Sequence, residues 1–190
     1  MLRSIPAIFL GIACIFAAAA SGAARTAPAR AASAPNFTLS DQNGHAFTLA
    51  QHRGHPIVLF FGYTHCPDVC PTILANLKRA RAAIGPRASD IIVALITVDP
   101  ERDSAHELKQ FVSAFDPSFL GLTGTAAQLA PVYRAYHVRS VKGASYAGGY
   151  LVSHTAFVYY IGRDGRIRGF GTWSDPQDTL EEDLRDASSH

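Results

Sequence analysis

Two cysteines four residues apart, Cys66 and Cys70, follow closely on a short apolar segment at residues 57–61. That segment is typical of a buried β-strand and residues 72–83 are typical of a helix, so the thiols are expected where a strand leads into a helix. Pro71 fits a first helical turn, where the N–H that proline lacks has no partner. Free N–H groups and the helix dipole favour a thiolate there. The motif therefore predicts redox chemistry, binding of a soft metal, or both.

A structural disulfide is the simplest alternative for this pair. A bridge between residues so close in sequence closes a very small loop and removes little entropy from the unfolded chain. The only other cysteine is Cys14, which lies in an apolar N-terminal segment. Without that segment the chain has two cysteines, both in the motif, which indicates an oxidising compartment.

Residues 1–24 have the pattern of a targeting segment, with Arg3 before an apolar stretch and small residues after it. The apolar stretch is also near the lower length limit of a membrane span, so an uncleaved membrane anchor is the alternative to a signal peptide. Residues 25–35 are expected to be a linker, and residues 36–190 a single domain. We expect that domain outside the cytoplasm, in the periplasm, either soluble or tethered to the inner membrane.

The composition excludes some classes of protein. Hydrophobic residues make up 48% of the chain, which is sufficient for a substantial core. The formal net charge is only +2, and no dense run of Lys or Arg is present. We therefore expect no nucleic-acid partner.

The order of the predicted elements indicates an α/β fold of the thioredoxin type. A strand pair around Asn43 and Gly44 predicts an extra N-terminal β-hairpin, and Asp164-Gly165 predicts a second hairpin near the end. The other predicted strands and helices lie at residues 57–61, 72–83, 91–98, 99–115, 119–122, 125–136, 155–161, 167–170 and 175–186. In an open α/β sheet, ligands bind at the carboxyl ends of the strands, which is where both cysteines are expected.

His154 is the candidate third functional residue. It ends a long glycine-containing loop, at residues 137–154, immediately before the strand predicted at 155–161. Thioredoxins place a cis-proline facing their cysteines at this position, and here an imidazole stands there instead. Two thiolates and an imidazole suit copper, because soft sulfur donors select Cu(I) and imidazole accommodates both oxidation states. A structural zinc ion would need a fourth ligand, and none stands out.

Three segments in order resemble the Sco/SenC family of thioredoxin-fold copper proteins. Residues 62–71 are similar to the cysteine motif of the family, residues 98–103 to its second signature, and residues 150–155 in part to its histidine segment. The resemblance covers roughly residues 35–186. It implies that Cys66, Cys70 and His154 carry one copper ion per monomer, as Cu(I) or Cu(II), and that the cysteines must be reduced before Cu(I) is loaded.

The resemblance also implies a function and partners. Proteins of this family help to assemble the dicopper centre of cytochrome c oxidase subunit II, so a copper chaperone acting on that subunit is expected. Another copper chaperone or a thiol reductase is a further expected partner. The alternative is a thiol–disulfide oxidoreductase that acts on the cysteines of the oxidase subunit or of another extracytoplasmic protein. We expect a metallochaperone rather than an enzyme.

The histidine segment departs from the family pattern. Ser153 stands directly before His154, and Gly149 lies upstream, where the family usually has acidic residues. Asp99 and Asp103 offer carboxylates from the neighbouring strand end. Capping of the predicted helix at 99–115 is the simpler role for Asp99, because aspartate before proline is a common helix start.

Overall fold

The computed structural model describes residues 32–147 and 149–189. The targeting segment predicted at 1–24 lies outside these residues, as does most of the linker predicted at 25–35. Ala34 donates a backbone hydrogen bond to the carbonyl of Gly165, so the end of the predicted linker is held against the domain. In the part of the chain that is described, no helix is long and apolar enough to cross a membrane.

A mixed sheet of seven strands forms the centre of the domain, and a separate ribbon of two strands lies beside it. The strands are β1 (Thr38–Asp41), β2 (Ala46–Thr48), β3 (Ile57–Gly62), β4 (Ile92–Thr97), β5 (Leu120–Thr123), β6 (Ser140–Lys142), β7 (Val152–His154), β8 (Val158–Ile161) and β9 (Ile167–Gly171). The helices are α1 (Val69–Ile84), α2 (Ala105–Ser113), α3 (Ala126–Ala135) and α4 (Gln177–Ser189). Two short 3₁₀ segments occupy Leu49–His52 and Gly85–Ala88.

The large sheet has the order β2-β1-β5-β4-β3-β8-β9. Strands β3, β4 and β5 run parallel, while β1 and β8 pair antiparallel to β5 and β3. All six residues of β3 are buried, as expected for an apolar strand covered on both faces. The mixed α/β class and the N-terminal hairpin β1–β2, both predicted from the sequence, are confirmed.

The predicted start of the helix at residues 99–115 was wrong. Helix α2 begins at Ala105, and its N-cap is Ser104, whose hydroxyl accepts from the backbone N–H of Glu107. Asp99 instead begins a turn, in which its carbonyl accepts from the N–H groups of Arg102 and Asp103. Asp99 therefore does not cap α2, and the expectation that it does was wrong.

Two further differences affect the candidate site. Helix α1 starts at Val69 rather than at residue 72, which places Cys70 in its first turn. The loop expected at 137–154 contains the ribbon β6–β7, in which Ser140 pairs with His154. His154 therefore ends a short strand, and β8 starts only at Val158.

Candidate metal centre

The two cysteines lie at the carboxyl end of β3, as the sequence predicts. Cys66 is half-buried on the segment between β3 and α1, and Cys70 is fully buried in the first turn of α1. Both are free thiols in this structure. One sulfur is thus accessible to a reaction partner and the other is enclosed by the core.

The surroundings of the two thiols are electrostatically unequal. The side-chain hydrogen bond from Cys70 is the main cause that lowers the pKa of Cys66 to about 4, against the opposing effect of burial. Hydrogen bonds from the backbone N–H groups of Asp68 and Cys70 add to the lowering. The same thiol–thiol hydrogen bond, together with burial, raises the pKa of Cys70. Near neutral pH, Cys66 is therefore the thiolate and Cys70 the thiol.

The ring of His154 faces these sulfurs with a defined tautomer. Its Nδ1 lies 3.1 Å from the backbone carbonyl oxygen of Thr155. A carbonyl can only accept, so in the neutral ring Nδ1 carries the proton and the lone pair lies on Nε2. Nε2 is 3.9 Å from the sulfur of Cys70. The nitrogen that can bind a metal therefore points at the thiols.

Tyr63 connects the ribbon that carries His154 to the large sheet. The Tyr63 ring packs edge-to-face with the His154 ring at a centroid distance of 5.7 Å. Its hydroxyl oxygen accepts from the backbone N–H of Val152 at 3.2 Å. A residue next to the end of β3 thus fixes both the ring and the backbone of β7.

Asp103 supports the segment that leads to Cys66. Its carboxylate is buried and accepts from the backbone N–H of Thr64 at 3.2 Å. The hydroxyls of Thr64 and Thr97 each donate to it at 2.6 Å. Burial is the main cause that raises the pKa of Asp103, and these hydrogen bonds oppose it. Asp103 therefore stabilises the loop beneath the thiols and donates no oxygen to the site itself.

A groove of about 400 Å³ opens onto Cys66 and His154. Val69, Leu151 and Trp173 are among its lining residues. Leu151 and Trp173 are 46% and 54% exposed, which is unusual for large apolar side chains. Trp173, the only tryptophan in the chain, was not among the residues predicted for the site.

The side chains of the site have the donor atoms of a copper site but are not yet closed around an ion. Across residues 32–147 and 149–189, no three His, Cys, Asp or Glu side chains already surround a common point where an ion could be held. The 3.9 Å between Cys70 Sγ and His154 Nε2 is nevertheless near the roughly 3.5–3.7 Å expected between sulfur and nitrogen donors on one tetrahedral ion. With the Cys66 thiolate alongside, the donors are those that copper prefers.

Comparison with known proteins identifies the family. The family model described as SCO1/SenC matches residues 25–189. The chain belongs to the SCO1/SenC family. An SCO2-like protein of Rickettsia prowazekii is 37% identical to it over 133 residues, which cover 68% of this chain and 64% of the Rickettsia protein. The chain thus spans just under two thirds of that relative.

Solved structures of the family support the fold. ScoI of Bradyrhizobium japonicum with copper bound is 39% identical, with a TM-score of 0.74 over 82% of this chain and 99% of that chain. Yeast Sco1 with copper bound is 29% identical, with a TM-score of 0.74 over 84% of this chain and 90% of that chain. The thioredoxin-like fold predicted from the sequence is therefore confirmed.

Proposed function

We propose that this protein is a copper chaperone that binds one copper ion through Cys66, Cys70 and His154 and delivers it to, or prepares, the dicopper centre of cytochrome c oxidase subunit II. The observation that carries the proposal is the convergence of the Cys66 thiolate, the Cys70 thiol and the Nε2 lone pair of His154 beside an open groove. Membership of the SCO1/SenC family and the copper-bound ScoI and Sco1 structures support it.

The protonation of the donors indicates how copper enters the site. Metal-binding cysteines must be deprotonated, and Cys66 already is near neutral pH. Cys70 still holds its proton, because its pKa is raised by the Cys66 hydrogen bond and by burial. Binding therefore expels the Cys70 proton, and we expect release of about one proton per copper ion.

The location and partners follow from the same proposal. A site that needs two reduced thiols and faces an oxidising compartment requires a reductant, so a thiol reductase is a second partner beside the oxidase subunit. The periplasm, with or without a tether to the inner membrane, is the proposed location. The exposed Trp173 and Leu151 beside the groove are available to a protein partner.

A copper titration tests the proposal. Reduced protein is titrated with Cu(I) against a competing chelator, and one equivalent is expected to bind tightly. Protein oxidised to the Cys66–Cys70 disulfide should bind much less, since a disulfide offers no thiolate. His106→Ala, which removes an exposed histidine on α2, is the control for the role of His154 and should bind copper as the wild type does. Equal copper uptake by the oxidised and reduced forms would refute the proposal.

A thiol–disulfide oxidoreductase is the second candidate. An accessible low-pKa thiolate next to a buried thiol is the arrangement of an attacking and a resolving cysteine. In Cys70→Ser, the Cys66 thiolate would attack a disulfide of the oxidase subunit and break it, with release of one thiolate of the subunit. The resulting mixed disulfide would persist because the resolving thiol is absent. Thiol counting by mass, before and after mild reduction, measures whether the wild-type pair forms a reversible disulfide. Failure to trap any mixed disulfide would remove this candidate.

A further inference from the structure

The aromatic ring of Tyr150 is contacted by two cations. The guanidinium carbon of Arg102 lies 3.6 Å from the ring centroid, and the ammonium of Lys142 lies 4.1 Å from it. Both distances are well within the range of about 6 Å in which a cation is attracted by an aromatic face. Tyr150 thus packs against charged groups from two different segments of the chain.

Carboxylates complete this arrangement. The Tyr150 hydroxyl donates to one oxygen of Asp99 at 2.7 Å, and Nε of Arg102 donates to the other at 2.5 Å. Lys142 pairs with Glu101 at 2.5 Å. These five residues, Asp99, Glu101, Arg102, Lys142 and Tyr150, are called the Tyr150 cluster below.

The Tyr150 cluster connects the β6–β7 ribbon to the seven-stranded sheet, with which the ribbon shares no strand pairing. Asp99 and Arg102 belong to the turn after β4, where Asp99 is only 4% exposed. Lys142 ends β6, and Tyr150 lies two residues before β7, on the ribbon that carries His154. The cluster therefore fixes the ribbon against the large sheet only four residues from His154.

Gly149 allows the ribbon to approach Arg102 this closely. Its φ of +113° lies in the region that favours glycine, and a Cβ there would be 3.3 Å from Nη1 of Arg102. Nη2 of Arg102 is buried without a hydrogen-bond partner among the described residues. A buried N–H without a partner costs free energy. The contacts of the guanidinium with Tyr150 and Asp99 offset that cost.

We propose that Tyr150 is a positioning residue, which holds Nε2 of His154 towards the thiols and so sets the copper affinity of the site, an assignment that rests on the proposed copper-binding function. Tyr150 acts through His154 and touches neither sulfur. Ser153 and Gly149, beside and upstream of His154, have no charged side chain that could orient its ring. The Tyr150 cluster supplies the orientation from the other end of the ribbon.

A double-mutant cycle tests this role. Tyr150→Leu should weaken Cu(I) binding by about 10-fold or more, as expected for residues that orient a metal ligand. In the His154→Ala background the same change should have no further effect, because the ligand it positions is gone. Tyr150→Phe keeps the ring on both cations and should retain more affinity than Tyr150→Leu. An equal loss with and without His154 would overturn the proposal.

Tyr146→Leu is the matched control, since Tyr146 is 56% exposed on the same loop. It should leave Cu(I) affinity unchanged, and a loss equal to that of Tyr150→Leu would overturn the specific role of Tyr150.

Hydrogen exchange is a second readout, and it needs no metal. Tyr150→Leu should accelerate hydrogen exchange at the amides of Gly143 and Val152, which are bonded within the ribbon or to Tyr63.

The two readouts separate this role from the proposed function. If wild-type protein binds no copper but exchange accelerates in Tyr150→Leu, the copper function fails and the structural link between cluster and ribbon stands. If copper binds and exchange and affinity are both unchanged in Tyr150→Leu, the positioning role is overturned while the copper function stands.

Discussion

The backbone N–H of Cys70 points at the sulfur of Cys66, 3.4 Å away. This contact exists because α1 begins at Val69, so that an unpaired N–H of the first helical turn is directed at the preceding thiol. The helix end and the Cys70 thiol together favour negative charge on Cys66. The pair is thus divided into a half-buried thiolate and a fully buried thiol.

We predict that Cys66 is alkylated under mildly acidic conditions. With its pKa lowered to about 4, it is a thiolate at higher pH and becomes protonated as the pH falls through that value. Reduced protein should therefore react with iodoacetamide at Cys66, and not at Cys70, at about pH 5. Peptide mass spectrometry over a pH series measures the extent of alkylation at each of the two cysteines.

Cys70→Ala provides the control for this prediction. It removes the hydrogen bond that is the main cause of the lowered Cys66 pKa, so the alkylation profile should move to higher pH. A wild-type profile centred near the ordinary cysteine pKa of about 8.5 would contradict the asymmetry of the pair.

His154→Ala should separate copper binding from thiol chemistry. Loss of a ligand should weaken Cu(I) binding more than the roughly 10–100-fold typical of residues that only orient ligands. The Cys66–Cys70 disulfide should still form, and the free energy of unfolding should change by about 1 kcal/mol or less, because His154 is only half-buried. Copper affinity and thiol reduction potential are measured side by side. Unchanged affinity with altered thiol reactivity would favour the oxidoreductase.

Gly62→Ala should destabilise the fold and disturb Cys70. A Cβ at this position would lie 2.8 Å from the Phe60 ring and 3.0 Å from the Cys70 sulfur. Both neighbours are fully buried, so the methyl group overpacks the core by about 1–3 kcal/mol. Chemical denaturation measures this cost. Gly44→Ala is the comparison, since nothing lies within 4 Å of its added Cβ and its cost arises only from a φ of +83°. Wild-type stability in Gly62→Ala would refute this packing.

Asp103→Ala should lower the free energy of unfolding by about 2–3 kcal/mol. It leaves the Thr64 N–H and the Thr97 hydroxyl without their acceptor in a buried position. Denaturation measures the loss, and Asp116→Ala, which removes a half-buried carboxylate, is the comparison. A loss no greater than that of Asp116→Ala would contradict the supporting role.

The pH dependence of stability tests the same residue. Burial raises the pKa of folded Asp103 above that of the unfolded chain. The folded protein then binds the proton more tightly, so this group's contribution to stability decreases as the pH rises from the unfolded to the folded pKa. Asp103→Asn, which cannot titrate, should be less sensitive to pH over that window.

Local signals in the sequence were sufficient for the cysteine half of the site. The unbroken apolar run of β3 and the proline after Cys70 reflect forces within one short segment, and both were interpreted correctly. The start of α2 was also encoded locally, in Ser104 and Glu107, the spacing of a capping box. Asp99 was predicted to start the helix instead, because aspartate before proline is also a common helix start.

The histidine half of the site depends on long-range contacts that leave no local signal. Each strand of the ribbon has three residues, and all those of β6 are exposed, so no alternation of apolar and polar side chains predicts it. Arg102 and Tyr150 are far apart in sequence and meet only in the folded chain. His154 was predicted as the third residue because a proline was missing, which indicates a position but not what holds the ring there.

The separation of the ribbon from the seven-stranded sheet makes the affinity of the proposed copper site independently adjustable. Of the three proposed donors, Cys70 is enclosed by the hydrophobic core and Cys66 packs against it, where many substitutions cost folding free energy. The third, His154, is carried on a small ribbon in which Val152 is buried and all of β6 is exposed. Substitutions in the ribbon can therefore strengthen or weaken metal retention while the fold keeps its stability. The proposed copper chaperone must hold an ion tightly enough to carry it and loosely enough to hand it on, and this ribbon is a part that can be tuned for release alone.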